Sequence, residues 1–210
     1  MLFRSHAIAA NLLPLSDKVH KLTIVPRGGV AGYMMPLPSE TQHYSKSRLL
    51  DEIAVFLAGR VAEELQFNEI TTGAQNDFQR ATNIAKRMVA EWGMSQTLGH
   101  VALIEENQNY LGYGGETRNY SNATAQAIDA EVKSIIEIQY RRVTHLLEQN
   151  RNAMDRVVAV LLERETLTGD EFNTVFDGGL LPEEPIAAKP NLEPAFMPPS
   201  VLPKTKPGGA

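Results

Sequence analysis

Helical periodicity is the feature that most constrains the fold of this chain, because it recurs through most of the sequence between residues 45 and 176. Within each periodic stretch, large apolar side chains return every three or four residues, as they do along the buried face of an α-helix. Thr168 and Glu171 also have the spacing of a capping box. The pattern predicts a mainly α domain with helices over Ser45–Phe67, Asn76–Trp92, Ser121–Gln149 and Arg151–Glu165, and a short final helix from Thr168.

The N-terminal part of the chain predicts a short helix followed by a β-hairpin or an irregular β-unit. His6–Leu13 is rich in alanine, which favours a helix, and Pro14 ends it. We expect this segment to be the end of a helix whose beginning is missing. Val19–Val25 alternates between apolar and polar residues, and a Gly-rich turn at residues 27–29 joins it to a second extended segment, Val30–Met35.

Composition excludes several classes of function. The chain has no cysteine, which removes disulfides, thiolate metal ligands and a cysteine nucleophile. Its formal net charge of −5 leaves no basic footprint, so we expect no nucleic-acid partner. No apolar run approaches the roughly 18–20 residues that span a bilayer, so the chain as given is expected to be soluble.

The C-terminal segment differs in composition from the rest of the chain. Eight of the twelve prolines follow Leu181, with few large apolar residues and no periodicity. Such a segment cannot bury enough surface to offset the entropy lost on ordering. Residues 181–210 are therefore predicted to be a Pro-rich disordered tail, with a polyproline ligand as the alternative.

Three places carry side chains that could perform chemistry, and each also has a simpler interpretation. His6 could bind a metal, or it could be an ordinary packed or surface histidine. Asp77, which follows the polar turn Thr71–Asn76, could be a metal ligand held at a helix start, or it could cap the amides there. Glu63 and Glu64 could support a metal-ligating histidine through hydrogen bonds, or they could form the solvated side of a helix.

Six motifs, taken in order, resemble one protein family. Each is modest alone, but the ordered set resembles the peptidase domain of the FtsH-type ATP-dependent zinc metalloproteases, from His6 to about Phe176. The motifs are Leu22-Thr-Ile-Val-Pro-Arg-Gly-Gly, Gly59-Arg-Val-Ala-Glu-Glu, Thr72-Gly-Ala-Gln-Asn-Asp, Ala81-Thr-Asn-Ile-Ala-Lys-Arg-Met-Val, Glu91-Trp-Gly-Met-Ser and Arg118-Asn-Tyr-Ser.

The resemblance implies a helical metallopeptidase domain with a small N-terminal β-hairpin, and it implies a mechanism. Members of this family carry His-Glu-Ala-Gly-His on a helix, where two histidines four residues apart share one face and bind one zinc. A more distant aspartate is the third ligand. Water takes the fourth position, its pKa falls to about 7 on the metal, and the glutamate accepts its proton.

Carried over residue by residue, the family's zinc motif is only partly present. His6 matches the second histidine, and Asp77 matches the third ligand. The first histidine falls on Leu2 and the general base falls on Phe3. Neither side chain can bind zinc or accept a proton, so we expect no catalytic residue in this chain.

The mismatch with the family ends abruptly at Ser5. We therefore interpret residues 1–5 as a non-native leader; the codons CTC TTC CGA TCT, which end a common sequencing adapter, would also encode Leu-Phe-Arg-Ser. Residues 6–180 are expected to be a peptidase domain that is truncated at its zinc helix. As sequenced, the chain is predicted to bind zinc weakly and to lack peptidase activity.

The resemblance also implies a parent protein anchored in a bacterial inner membrane, a thylakoid or a mitochondrial inner membrane. An upstream AAA ATPase domain would bind ATP there, and the assembly would be a homo- or hetero-hexamer. Its substrates would be unfolded or membrane polypeptides, which pair with the strand edge after the Gly-rich turn. Two alternatives stay open: a non-catalytic, protease-like scaffold or ring-forming subunit, and a helical interaction module that only resembles the family.

Overall fold

The computed structural model describes residues 2–26, 32–37, 43–105, 117–118 and 120–182, and it confirms a mainly α domain. The helices in this part of the chain are α1 (Leu2–Leu12), α2 (Lys46–Phe67), α3 (Gln75–Ala90), α4 (Asn122–Gln149), α5 (Arg151–Arg164) and α6 (Gly169–Phe176), with a 3₁₀ turn at Thr72–Ala74. The strands are β1 (Val19–Thr23), β2 (Tyr33–Pro36), β3 (Ile104–Glu105), β4 (Thr117–Arg118) and β5 (Thr166–Thr168). The predicted turn at residues 27–29 and the predicted tail from residue 183 onward lie outside the described residues.

Helix α2 lies at the centre of the domain and contacts α1, α3 and α4. It begins after Ser45, whose hydroxyl oxygen accepts a hydrogen bond from the Arg48 backbone N–H at 3.2 Å, as the sequence predicted. Asn68 ends the helix in the left-handed conformation, with φ of +51°. Aliphatic side chains at helical spacing along α2 are buried and form the middle of the core: Leu49, Ile53, Leu57 and Val61.

Three of the strands form one antiparallel sheet in the order β2-β1-β5. The β1–β2 pair confirms the predicted hairpin, with Leu22 opposite Met34. Strand β5 was not predicted; it pairs with the other side of β1 and places Leu167 opposite Leu22, and both leucines are fully buried. A three-residue strand between two helices has too short an alternation to stand out in the sequence.

The predicted starts of the C-terminal helices are confirmed. The Ser121 hydroxyl oxygen accepts a backbone N–H in the first turn of α4, and Thr168 forms the predicted capping box with Glu171 at the start of α6. Strands β3 and β4 pair with each other in an antiparallel ladder, and the sequence did not predict either strand. None of the described helices is long and apolar enough to cross a membrane.

Candidate metal centre

His6 lies on α1, at the edge of the core. Ala7, Ile8 and Ala9 are fully buried because α1 packs against α2. The His6 side chain is 14% exposed and points towards the start of α3. Helix α1 extends back to Leu2, so residue 2 lies one turn before His6 on the same helix face.

Asp77 lies in the first turn of α3 and faces His6. The chain enters this helix through a tight turn, in which the Thr71 hydroxyl oxygen accepts a hydrogen bond from the Gly73 backbone N–H at 3.1 Å. The residue that precedes α3 is Ala74, and no side chain makes a capping hydrogen bond there. The Asp77 carboxylate is compatible with the positive end of the helix dipole, but it does not cap the helix.

The two candidate ligands meet at a distance that suits a shared metal ion. His6 Nε2 and Asp77 Oδ2 lie 3.4 Å apart. A charge-assisted N–H···O bond is about 2.7–2.9 Å long, and His6 Nε2 is buried without a hydrogen-bond partner within the described part of the chain. Two ligand atoms that each lie about 2.1 Å from a tetrahedral zinc are about 3.4 Å apart. The pair therefore fits two positions of a zinc site.

The pair alone does not complete such a site. Across the residues that the structure describes, no three His, Cys, Asp or Glu side chains are grouped so that they could hold a metal. A catalytic zinc normally takes three protein ligands. The donor atoms of His6 and Asp77 are of the kinds that bind zinc.

The sequence of this chain matches a known protein family. The family model described as Peptidase family M41 matches residues 4–175, which include both His6 and Asp77. The chain belongs to peptidase family M41. The match covers the described structure from α1 into α6, so the fold of this chain is that of an M41 domain.

Three similar proteins carry the name ATP-dependent zinc metalloprotease FtsH. The ATP-dependent zinc metalloprotease FtsH of Thermus thermophilus is 52% identical over 173 residues, which cover 82% of this chain and 28% of the relative. ATP-dependent zinc metalloprotease FtsH 1 of Thermoanaerobacter sp. is 50% identical over 176 residues, which cover 82% of this chain and 29% of the relative. ATP-dependent zinc metalloprotease FtsH of Bacillus subtilis is 44% identical over 182 residues, which cover 85% of this chain and 29% of the relative. The M41 chain thus spans less than a third of the length of these relatives.

The two glutamates singled out in the sequence have different partners in the M41 domain. Glu63 is buried, and its Oε1 accepts a hydrogen bond from the Thr71 hydroxyl at 2.9 Å. Its other oxygen, Oε2, is buried without a hydrogen-bond partner among the described residues. Glu64 accepts a hydrogen bond from the Tyr140 hydroxyl. Support of a metal-ligating histidine by either carboxylate stays a prediction.

A cleft of about 790 Å³ lies between α2, α3 and α4, and Phe78, the neighbour of Asp77, lines it. Arg60, Tyr140 and Arg141 form other parts of its wall. Burial raises the pKa of Tyr140, and the hydrogen bond to Glu64 raises it further, so the phenol stays protonated at neutral pH. The sequence did not predict this cleft, because its walls come from helices far apart in the chain.

Proposed function

We propose that this M41 domain is the peptidase part of an ATP-dependent zinc metalloprotease, in which His6 and Asp77 supply two of the three zinc ligands. The observation that carries the proposal is the 3.4 Å approach of His6 Nε2 to Asp77 Oδ2. The names of the similar proteins support the metal and the reaction. Residues 6–180 would form the peptidase domain, and residues 181–210 a tail without a core of its own.

The chemistry follows from the groups that the domain holds together. A zinc ion bound here would lower the pKa of its water to about 7 and polarise the scissile carbonyl. The His6 ring and the Asp77 side chain would hold the ion at the junction of α1 and α3. Leu2 and Phe3 stand where the first histidine and the general base belong, so the chain as it stands would bind zinc weakly and would not hydrolyse peptides.

An extended substrate would lie along β2. In the described sheet, β2 is an edge strand, because the order is β2-β1-β5. An edge strand offers main-chain hydrogen-bonding groups that recognise any extended peptide with little demand on its sequence. We propose unfolded polypeptides, including unfolded membrane proteins, as the substrate class.

The remaining parts of the proposal concern the longer protein. The similar proteins are named as ATP-dependent, so an AAA ATPase domain would precede this domain in the parent and would be its only ATP site. The parent would be a membrane-anchored hexamer, in a bacterial inner membrane or in the thylakoid or mitochondrial inner membrane. The described part of this chain contains no helix that could provide such an anchor.

Restoring the zinc motif tests the proposal. The substitutions Leu2→His, Phe3→Glu, Arg4→Ala and Ser5→Gly are expected to convert weak zinc binding into tight binding, and to produce chelator-sensitive cleavage of unfolded casein. The restored chain with Asp77→Asn is the matched control, and it should lose both properties. Chelator-sensitive cleavage by the unrestored chain, or weak zinc binding by the restored chain, would contradict the proposal.

A non-catalytic scaffold or ring-forming subunit is the second candidate, and the identities of Leu2 and Phe3 favour it. Sequencing the genomic locus separates the two. If genuine upstream DNA encodes Leu-Phe-Arg-Ser before His6, then the protein itself lacks the first zinc histidine and the general base, and the scaffold role is supported. If it encodes His-Glu-Ala-Gly, then residues 1–5 are a non-native leader and the peptidase role stands.

A further inference from the structure

We propose that Arg60 is a positioning residue for Asp77. It holds the turn at Thr71 against α2, and that turn determines where the first turn of α3 lies relative to His6. The proposal rests on the proposed function in one respect, since it takes Asp77 to be a metal ligand. The contacts themselves can be tested without any metal.

Arg60 contacts both ends of the segment that carries Asp77. Its Nη2 donates a hydrogen bond to the Thr71 carbonyl oxygen at 3.0 Å. Its guanidinium group lies over the Phe78 ring, 5.2 Å from the ring centroid. Thr71 precedes the 3₁₀ turn, and Phe78 directly follows Asp77. One side chain of α2 therefore spans the whole entry into α3.

Glu63 provides a second contact to the same turn from the same face of α2. Arg60 and Glu63 are three residues apart, so they are neighbours on the helix surface. The Thr71 hydroxyl donates to Glu63 Oε1 at 2.9 Å and accepts from the Gly73 N–H at 3.1 Å. The main chain and the side chain of Thr71 are thus both fixed to α2, and the turn has little freedom to shift.

This attachment matters because α3 has no side-chain cap of its own at Ala74. The position of Asp77 is set by what holds the preceding turn, and the position of His6 is set by the packing of α1 on α2. Helix α2 is therefore the common support of both candidate ligands. Metal–ligand distances in a good site lie within about 0.2 Å of their standard values, and groups that orient the ligands contribute to affinity. Loosening the Thr71 turn should therefore weaken zinc binding although no ligand has changed.

Arg141 offers a matched control for Arg60. Both arginines line the cleft between α2 and α4. The Nε of Arg141 donates to the Glu137 carbonyl oxygen of its own helix at 3.4 Å, whereas Arg60 reaches across to the turn. Arg141→Ala removes the same charge from the same cleft without touching the Thr71 turn.

The first experiment uses the chain as it exists, without metal. Amide hydrogen exchange is measured over residues 72–78 in the unchanged chain and in the Arg60→Ala and Arg141→Ala variants. We expect faster exchange in this segment for Arg60→Ala alone, while circular dichroism shows that the helices are retained. Equal exchange in the two variants would show that Arg60 does not hold the turn.

The second experiment measures zinc affinity in the chain whose zinc motif has been restored. Arg60→Ala and Thr71→Val should each weaken zinc binding about tenfold, at the lower end of the range for residues that orient metal ligands. Thr71→Ser keeps the hydroxyl and should restore the affinity, and the absorption spectrum of bound cobalt should report altered ligand geometry in the weakened variants only. If Arg60→Ala fails to fold, then Arg60→Met decides the question, because it keeps the aliphatic part of the side chain and removes the hydrogen bond to the Thr71 carbonyl oxygen.

The outcomes separate this proposal from the proposed function. If the restored chain with Arg60 intact does not bind zinc, then the metal site is wrong, and hydrogen exchange still decides whether Arg60 holds the turn. If the restored chain binds zinc tightly and both Arg60→Ala and Thr71→Val bind it equally well, then the positioning role is wrong and the metal site stands.

Discussion

Replacing Asp51 with alanine should destabilise the whole domain, because this buried carboxylate joins three elements. Asp51 lies on α2 and is 2% exposed. Its Oδ2 accepts a hydrogen bond from the Leu15 backbone N–H at 3.1 Å, just after α1 ends. Its Oδ1 accepts one from Arg142 Nη1 on α4 at 2.7 Å. The carboxylate thus fixes the end of the helix that carries His6.

The expected loss of unfolding free energy follows from these two contacts. The Leu15 N–H loses a charged acceptor, which costs about 1–2 kcal/mol. Arg142 has a side chain that is 39% exposed, and it keeps a hydrogen bond to Gln139 Oε1, so solvent reduces its loss to about 1 kcal/mol. We expect Asp51→Ala to cost about 2–3 kcal/mol in total.

Urea unfolding followed by circular dichroism measures this loss. Arg142→Ala should cost a similar amount, because it leaves a buried carboxylate without its cation. The double variant should then cost little more than Asp51→Ala alone. The matched control is Glu137→Ala, which breaks an exposed ion pair with Lys133 and should cost at most about 0.5 kcal/mol. Additive losses, or a loss for Asp51→Ala no larger than that of the control, would refute this reasoning.

Two further predictions concern the junction of β5 and α6. Gly169→Ala should lower the free energy of unfolding by about 3 kcal/mol, because the new Cβ would lie 2.2 Å from the Val19 carbonyl oxygen. The control is Gly99→Ala, where the new Cβ lies in open space at φ of +77° and the loss should be only about 1 kcal/mol. Thermal unfolding measures both losses. Thr168→Ala should cost about 1 kcal/mol at neutral pH. Hydrogen bonds from the backbone N–H and the hydroxyl of Thr168 lower the pKa of Glu171 from 4.5. The difference in unfolding free energy between the unchanged chain and Thr168→Ala should therefore shrink as acid protonates Glu171. A difference that does not change with pH would contradict this prediction.

The helices could be predicted because the signals that begin and end them are local. Ser45, Ser121 and Thr168 each accept a backbone N–H within the next three residues, and the structure confirms all three. Strand β5 could not be predicted in this way, because it is defined by its pairing with β1, which is far from it in the sequence. Strand β4 was missed for the same reason, since it is only two residues long and is recognised by its pairing with β3.

The sequence by itself determined the kinds of side chain at the candidate site. His6 and Asp77 have side chains that can bind a metal, whereas Leu2 and Phe3 have side chains that can neither bind zinc nor accept a proton. Only the tertiary structure decided that His6 and Asp77 lie 3.4 Å apart, because that distance depends on how α1 and the Thr71 turn each pack on α2. The contact of Arg60 with Thr71 was decided in the same way, since a hydrogen bond between two separate elements leaves no periodic signal in the sequence.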